Sequence, residues 1–214
     1  MLPLALPSGP LRLLCLGAHC DDIEIGCGGT VLRLLEANPG AEVTWVVFTG
    51  STTRRDEAAA AAEIFLARAG ERRMEFNSYR ESFLPQAWGA VKEDFERIKR
   101  LARPTLVLTH CRHDDHQDHR LLAELSWNTF RDHLILEYEI PKYEGDLGNP
   151  NLFVPLDRDH AEAKITNLMR CFASQRARAW FDPETFRGLM RLRGVGCNAP
   201  SGMAEAFTVR KMVV

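Results

Sequence analysis

The stretch LRLLCLGA at residues 11–18 decides the fold, because a short apolar run such as its Leu13-Leu14-Cys15-Leu16 is typical of a parallel strand buried on both faces. It leads into a polar, glycine-rich segment, residues 19–29, which we predict to be a turn. Residues 30–37 then carry apolar side chains at helical spacing before Asn38-Pro39-Gly40 ends the helix. The chain therefore opens with a buried strand, a turn and a helix.

The same alternation continues along the chain. It predicts further strands at residues 43–48, 72–76, 104–109 and 133–140, and further helices at residues 54–69, 88–102, 121–130, 158–172 and 183–193. We predict a long loop at residues 141–155, which are rich in proline and glycine, and an edge strand at residues 206–214. Since strands that alternate with helices form a parallel sheet covered on both faces, we expect an α/β fold. Its architecture would be a Rossmann-like three-layer sandwich with a mostly parallel central sheet, in one domain spanning residues 1–214.

Composition and charge narrow the class of protein. The 214 residues are 45% hydrophobic and 26% charged, as in an ordinary globular domain. A formal net charge of −2 leaves no basic excess to neutralise phosphates, so we expect no nucleic-acid partner.

Targeting signals and cysteines indicate the compartment. No apolar run approaches the roughly 20 residues that span a bilayer, and Met1-Leu2-Pro3-Leu4 lacks the basic region of a secretory signal. The six cysteines form no C-x-x-C pair, which favours reduced thiols over disulfides. We expect a cytoplasmic protein with no membrane partner.

Two turns carry the metal-binding and titratable side chains. In a doubly wound sheet, ligands bind beyond the carboxyl ends of the strands. The turn after the first strand reads AHCDDIEIGCGGT at residues 18–30, and the turn after the fourth reads HCRHDDHQDH at residues 110–119. We expect the two turns to face one another.

Histidine and carboxylate side chains in these turns suit a borderline metal such as zinc, which in catalytic sites takes three protein ligands. His19 and Asp22 with one histidine of the second turn would supply that set, leaving Asp21 free to accept a proton from water. The second turn offers four histidines, and one tetrahedral ion cannot bind them all. They are His110, His113, His116 and His119.

Simpler explanations exist for each turn. Gly26, Gly28 and Gly29 are consistent with a tight turn or close helix packing, and the dinucleotide fingerprint G-x-G-x-x-G is not met. Asp21 and Asp22 are also typical helix N-caps, and a histidine tract can be a casual surface metal trap.

The first turn resembles the signature A-H-P-D-D-E-x-x-G-C-G-G-T of the PIG-L/LmbE-like N-deacetylases. His116-Gln117-Asp118-His119 resembles that family's second motif, H-x-D-H. The resemblance implies hydrolysis of the N-acetyl group of an amino sugar or sugar conjugate to an amine and acetate.

Carried over residue by residue, the resemblance assigns zinc to His19, Asp22 and His119 and the role of general base to Asp21. His116 would polarise the amide oxygen or protonate the leaving amine, and Asp118 would orient His116. From their place after the second strand, Arg54 or Arg55 could contact a sugar hydroxyl or phosphate; a solvent-exposed helix arginine is the alternative.

Two positions depart from the family signature. Cys20 stands where the family has proline, and Ile23 stands where it has glutamate, with Glu24 next to it. Neither is a ligand position in the family, so we expect metal binding to survive.

Two other functions use the same residues. Two histidines and one carboxylate also form the facial triad of a non-haem Fe(II) oxygenase, and a histidine-rich turn alone could serve a non-catalytic metal-binding module. Asp21 beside a ligand favours hydrolysis. A site at the edge of the sheet is also compatible with a homo-oligomer, in which a neighbouring subunit would complete it.

Overall fold

A seven-stranded sheet forms the centre of the computed structural model, which describes residues 9–213. The strands are β1 (Arg12–Gly17), β2 (Glu42–Thr49), β3 (Glu71–Tyr79), β4 (Leu106–His110), β5 (Leu134–Tyr138), β6 (Leu152–Leu156) and β7 (Met203–Thr208). They lie in the order β3-β2-β1-β4-β5-β7-β6; the first five are parallel, and β7 pairs antiparallel with β5 and β6. The expected mostly parallel α/β sheet is confirmed.

Six helices cover the two faces of the sheet. They are α1 (Asp22–Ala37), α2 (Thr52–Phe65), α3 (Trp88–Ala102), α4 (Gln117–Thr129), α5 (Arg158–Cys171) and α6 (Pro183–Gly196). Side chains alternate along β1, so Leu13 and Cys15 pack under the helices of one face while Leu14 and Leu16 pack under α3 and α4. Among residues 9–213, no helix is long and apolar enough to cross a bilayer.

Helix α1 begins eight residues earlier than predicted, at Asp22 instead of Thr30. The predicted glycine-rich turn is therefore mostly helical, and packing accounts for its glycines. A Cβ at Gly26 would overlap the ring of Tyr138, and one at Gly28 would lie 2.7 Å from Phe65. Small residues let α1 lie close to its neighbours, which places Asp22 at the carboxyl edge of the sheet.

The C-terminal third differs most from the prediction. Residues 152–156, assigned to a loop, form β6, whose Pro155 is tolerated because β6 is an edge strand. The predicted edge strand at residues 206–214 is wrong: β7 ends at Thr208 and lies between β5 and β6. Met1 to Leu4 and Val214, which also entered the predictions, lie outside the described residues.

A buried carboxylate, Glu205, joins β7 to α1 through hydrogen bonds and to α5 through an ion pair. Glu205 accepts hydrogen bonds from the backbone N–H groups of Gly29 (2.9 Å) and Thr30 (2.6 Å). Its carboxylate also lies 2.6 Å from Lys164 Nζ of α5, and both side chains are almost fully buried. The last strand thus holds the helix that carries the first motif.

Candidate active site

The two polar turns meet at the carboxyl edge of the sheet, between β1 and β4. The chain runs from β1 outward through β2 to β3 and then returns to β4 on the other side of β1. Such a reversal opens a crevice between the two central strands, where α/β proteins bind ligands. His19 and Asp22 enter it from the first turn and His119 from the second, each no more than 7% exposed.

Three donor atoms of the predicted metal ligands converge in this crevice. His19 Nδ1 lies 3.0 Å from His119 Nε2 and 3.2 Å from Asp22 Oδ2, and the latter two atoms are 3.4 Å apart. Donors about 2.0–2.2 Å from a tetrahedral ion lie roughly 3.3–3.6 Å from one another. The spacing and the chemistry of the donors therefore fit a single divalent cation.

Two further histidines flank these donors. His116 forms a second cluster with His19 and His119, and His110 forms a third with Asp22 and His119. His119 belongs to both. The ring of His110 stacks on that of His119 with 3.9 Å between centroids, and its Nε2 accepts the N–H of Ala18 at 3.0 Å.

Asp114 fixes the orientation of His119. Its Oδ2 lies 2.9 Å from His119 Nδ1 and 3.1 Å from Lys142 Nζ. Burial opposes ionisation of Asp114, but the hydrogen bond from His119 and the neighbouring cations outweigh it and hold its pKa well below the usual range. Burial, with the neighbouring imidazole of His110, lowers the pKa of His119 to about 3, so the His119 imidazole is neutral. An Nδ1–H donated to Asp114 leaves the Nε2 lone pair for a metal.

His19 is held by two carboxylates. Burial disfavours its charged form, but Asp22 and the hydrogen bond to Asp118 outweigh burial and raise its pKa to about 10. Burial opposes ionisation of Asp22 as well, yet interactions with the surrounding imidazoles of His119, His19 and His110 outweigh it and hold the pKa of Asp22 well below the usual range. A metal bound here would displace the proton on His19.

The carboxylate of Asp118 contacts His19 and not the ring of His116. Its Oδ2 lies 3.3 Å from His19 Nε2 and accepts the N–H of Ser82 at 2.7 Å, while Oδ1 accepts the N–H of Leu84 at 3.1 Å. A hydrogen bond from the ring of His116 to the carboxylate of Asp118, through which we expected Asp118 to orient His116, is therefore absent from the described residues. Asp118 instead ties His19 to the segment between β3 and α3.

His116 caps the N-terminus of α4. Its ring Nδ1 accepts the backbone N–H of Asp118 at 3.2 Å. The backbone N–H of His116 donates to Asp114 Oδ1 at 2.8 Å. Burial, with the charge of His19, lowers its pKa. The neutral ring therefore carries its proton on Nε2, and its centroid lies 4.7 Å from those of both His19 and His119.

Asp21 has one engaged and one free carboxylate oxygen. Oδ1 accepts a hydrogen bond from Arg54 Nη2 at 2.9 Å, whereas Oδ2 is buried with no partner within residues 9–213. The side chain makes no N-cap hydrogen bond to α1, so capping does not explain it. Burial raises the pKa of Asp21 to about 6 against the opposing charge of Arg54. A buried, unpartnered oxygen of this basicity can accept a proton from water.

Of the two arginines predicted to contact substrate, only Arg54 contacts residues of the site. Arg54 reaches the site, where its guanidinium bridges Asp21 and both oxygens of Glu81 at 2.9 Å. Arg55 is half-buried beside Gly50. Glu81 was not predicted, because a glutamate in the turn after β3 carries no motif.

The two remaining histidines of the second turn, His110 and His113, differ in burial. His110, which ends β4, is fully buried inside the site, whereas His113 is exposed. Asp114 was also missed as a contributor. A carboxylate five residues before a ligand histidine is the only signal in the sequence that pointed to it.

The two departures from the family signature lie in the core. Cys20 is buried and its Sγ donates to the carbonyl of Thr49 at 3.2 Å, and burial raises the pKa of this thiol to about 12. Ile23 is fully buried. Neither side chain is among the donors that converge on the site.

Residues 141–151, the part of the predicted long loop that precedes β6, lie beside the second turn. Their first part walls a cavity of about 170 Å³ together with Asp114 and Glu137, and Lys142 and Asp146 line it from the loop. The loop therefore contacts the site through Asp114.

Comparison with known proteins agrees with the motifs. Residues 14–130, more than half of the chain, match the family PIG-L, described as GlcNAc-PI de-N-acetylase. Comparison with curated protein sequences gives no match.

Solved structures share the fold. An N,N'-diacetylchitobiose deacetylase from Pyrococcus horikoshii is 23% identical with a TM-score of 0.74, over 92% of this chain and 83% of that one. A 4-carboxy-2-hydroxymuconate hydratase from Pseudomonas putida KT2440 is 20% identical with a TM-score of 0.76, over 95% and 98%. The zinc-inhibited form of a teicoplanin deacetylase is 17% identical with a TM-score of 0.68, over 94% and 98%.

One fold therefore carries deacetylases and a hydratase, so the fold alone does not decide the reaction. The family match supplies what the fold cannot. The chain belongs to the PIG-L family and is a hydrolase of its N-deacetylase class.

Proposed function

We propose that the chain is a zinc-dependent deacetylase that hydrolyses the N-acetyl group of an amino sugar or sugar conjugate to a free amine and acetate. The supporting observation is the convergence of His19, Asp22 and His119 within 3.4 Å of one another, close to a carboxylate with a free oxygen. Two imidazoles and one carboxylate suit zinc, and Fe(II) is the other metal that this donor set accepts.

In this proposal His19 Nδ1, Asp22 Oδ2 and His119 Nε2 hold the metal. When bound, such an ion lowers the pKa of a water and polarises a carbonyl oxygen. Asp22 also accepts the backbone N–H of His19 at 2.7 Å, so the first turn is rigid before any ligand arrives. That rigidity reduces the cost of assembling the donors.

Asp21 is the proposed general base. Its free Oδ2 takes a proton from the attacking water, while Arg54 holds Oδ1 and fixes the direction of the carboxylate. Since burial sets its pKa near 6, Asp21 is ionised at neutral pH yet still basic enough to receive a proton.

His116 is the proposed donor on the opposite part of the site. Because Nδ1 is occupied by a backbone N–H, Nε2–H is free to donate a hydrogen bond to the carbonyl oxygen of the substrate. The departing nitrogen also needs a proton, and Asp21 can return to it the proton that it took from the water. Asp118 contributes indirectly, because its hydrogen bond to His19 Nε2 fixes the orientation of that ligand.

On the substrate side, we propose an N-acetylated sugar bound near Arg54, with Arg55 at the periphery. The description of the matched family and the names of two structural relatives concern acetylated sugars or glycopeptides. We further propose one domain over residues 1–214, a cytoplasmic location and no nucleic-acid or membrane partner. The six free cysteines support the cytoplasmic location. The nearly balanced charge supports the expectation that nucleic acid is not a partner.

The decisive experiment measures acetate released from N-acetyl sugars by chelated protein reloaded with zinc. Asp21→Asn should retain the metal and lose at least about 100-fold in kcat, the scale of general-base catalysis. The matched control is Asp56→Asn, an exposed aspartate on α2. Full activity of Asp21→Asn, or no acetate from any acetamido sugar, would contradict the proposal. Equal rates with and without O₂ distinguish the hydrolase from an Fe(II) oxygenase.

A further inference from the structure

We propose that Lys142, in the loop after β5, is a positioning residue for the metal site and acts through Asp114 on His119. This inference rests on the proposed function only in taking His119 as a metal ligand. In this proposal the loop after β5, which supplies no metal ligand, helps to orient one.

One oxygen atom connects the three residues. Oδ2 of Asp114 lies 2.9 Å from His119 Nδ1 and 3.1 Å from Lys142 Nζ. The side chains of Asp114 and Lys142 are 2% and 8% exposed. The Lys142 ammonium therefore sets where the Asp114 carboxylate can lie, and that carboxylate sets the orientation of the imidazole.

A second carboxylate fixes Lys142 in turn. Asp146 lies with both oxygens 2.5 Å from Lys142 Nζ, and its Oδ2 also accepts the backbone N–H of Asp115 at 2.7 Å. Residues 142–146 thus clamp the turn that precedes His116 and His119. An isolated surface salt bridge contributes little, but this cation is desolvated between two buried carboxylates, so its loss forces a rearrangement.

The rearrangement has a defined direction. Without the ammonium, Asp114 and Asp146 face one another as uncompensated negative charges, and Asp114 turns toward solvent in the adjoining cavity. His119 then loses the acceptor for its Nδ1–H, and its Nε2 is no longer held toward Asp22. Loss of such a support typically weakens metal affinity by about 10–100-fold.

A purely electrostatic role for Lys142 predicts the opposite sign. Removing a positive charge near a cation site should tighten metal binding, because repulsion is lost. Positioning predicts weaker binding. The sign of the change in affinity therefore distinguishes the two explanations without any assay of activity.

The test measures zinc affinity of the full chain by competition with a chromophoric chelator, and the visible spectrum of the cobalt(II)-loaded protein. We expect Asp114→Asn to weaken zinc binding about 10–100-fold and Lys142→Met to weaken it at least about fivefold, with Lys142→Arg restoring most of the loss. The double variant should match Asp114→Asn alone, because Lys142 acts through Asp114. Both weakened variants should change the cobalt spectrum.

The controls are Lys99→Met and Asp115→Asn, two exposed positions, the second directly beside Asp114. Both should bind zinc as the wild type does. If Lys142→Met fails to fold, Asp146→Asn tests the same clamp and should weaken binding in the same direction. Unchanged or tighter binding by the folded variants, or additive losses in the double variant, would overturn the inference while leaving the deacetylase proposal intact. A wild-type chain that binds no zinc would overturn both.

Discussion

His19 Nδ1 and His119 Nε2 lie 3.0 Å apart although 100 positions separate them in the chain. Each follows a central strand, β1 or β4, and those strands are neighbours because the chain reverses direction between them. The order of the strands therefore creates the metal site. A histidine inside the site can be tested against a nearby histidine that lies outside it.

We expect His19→Ala to lose bound metal, since it removes one of three converging donors. His113→Ala, in the second turn but exposed, should keep it. Metal content after dialysis measures both. Stoichiometric zinc retained by His19→Ala would mean that His19 is not a required ligand and would favour the other cluster of donors, Asp22, His110 and His119.

Gly26→Ala should destabilise the protein by about 1–3 kcal/mol or more, because a Cβ there overlaps the ring of Tyr138. Gly188→Ala, on the exposed face of α6 with open space around it, should raise the free energy of unfolding by about 0.5–1 kcal/mol. Denaturant unfolding compares them. Equal effects would show that α1 does not depend on close packing at Gly26.

Lys164→Met should cost about 3–5 kcal/mol of stability, because it leaves the buried carboxylate of Glu205 without its cation. Arg68→Met breaks the exposed pair with Glu36 and should change stability by no more than about 1 kcal/mol. Urea midpoints at constant m-value give both numbers. A small effect of Lys164→Met would indicate that the two backbone N–H groups alone satisfy Glu205.

Glu24 should make the stability of the metal-free chain depend on pH. It is fully buried, neither oxygen has a partner within the described part of the chain, and burial raises its pKa well above 4.5. Above pH 4.5 the unfolded chain loses this proton while the native state keeps it, so stability falls as pH rises. Each unit of difference in pKa corresponds to about 1.4 kcal/mol.

Glu24→Gln cannot ionise and should abolish this part of the pH dependence. Its advantage over the wild type should therefore widen from pH 4.5 upward, as measured by chemical unfolding across pH 4–8. A gap that stays constant with pH would show that Glu24 is ionised in the native state.

The sequence predicted the five parallel strands β1 to β5, most clearly β1, β2 and β4, which are rich in apolar residues and followed by polar segments. It misplaced the start of α1, since glycines that serve packing look like glycines that serve a turn. It also missed β6 and the interior place of β7. Pro155 argues against a strand, and the alanines of β7 show little periodicity.

The site divides in the same way. His19, Asp21, Asp22, His116 and His119 stand in local motifs, and the structure brings them together. Glu81 and Lys142 come from turns without any motif, so only the folded chain reveals that they contact Arg54 and Asp114. The partner of Asp118 could not be predicted either, because a choice between two histidines depends on side-chain direction.

The hold of Glu205 on the amides of Gly29 and Thr30 has a consequence for biosynthesis. The ribosome releases the first motif early, but the strand that secures its helix emerges some 175 residues later. Until then α1 lacks its anchor, and Asp22 at its first turn has no fixed place. Competence to capture a metal should accordingly arise only after Glu205 has left the ribosome, and premature termination before Glu205 should yield chains that are targets for proteolysis.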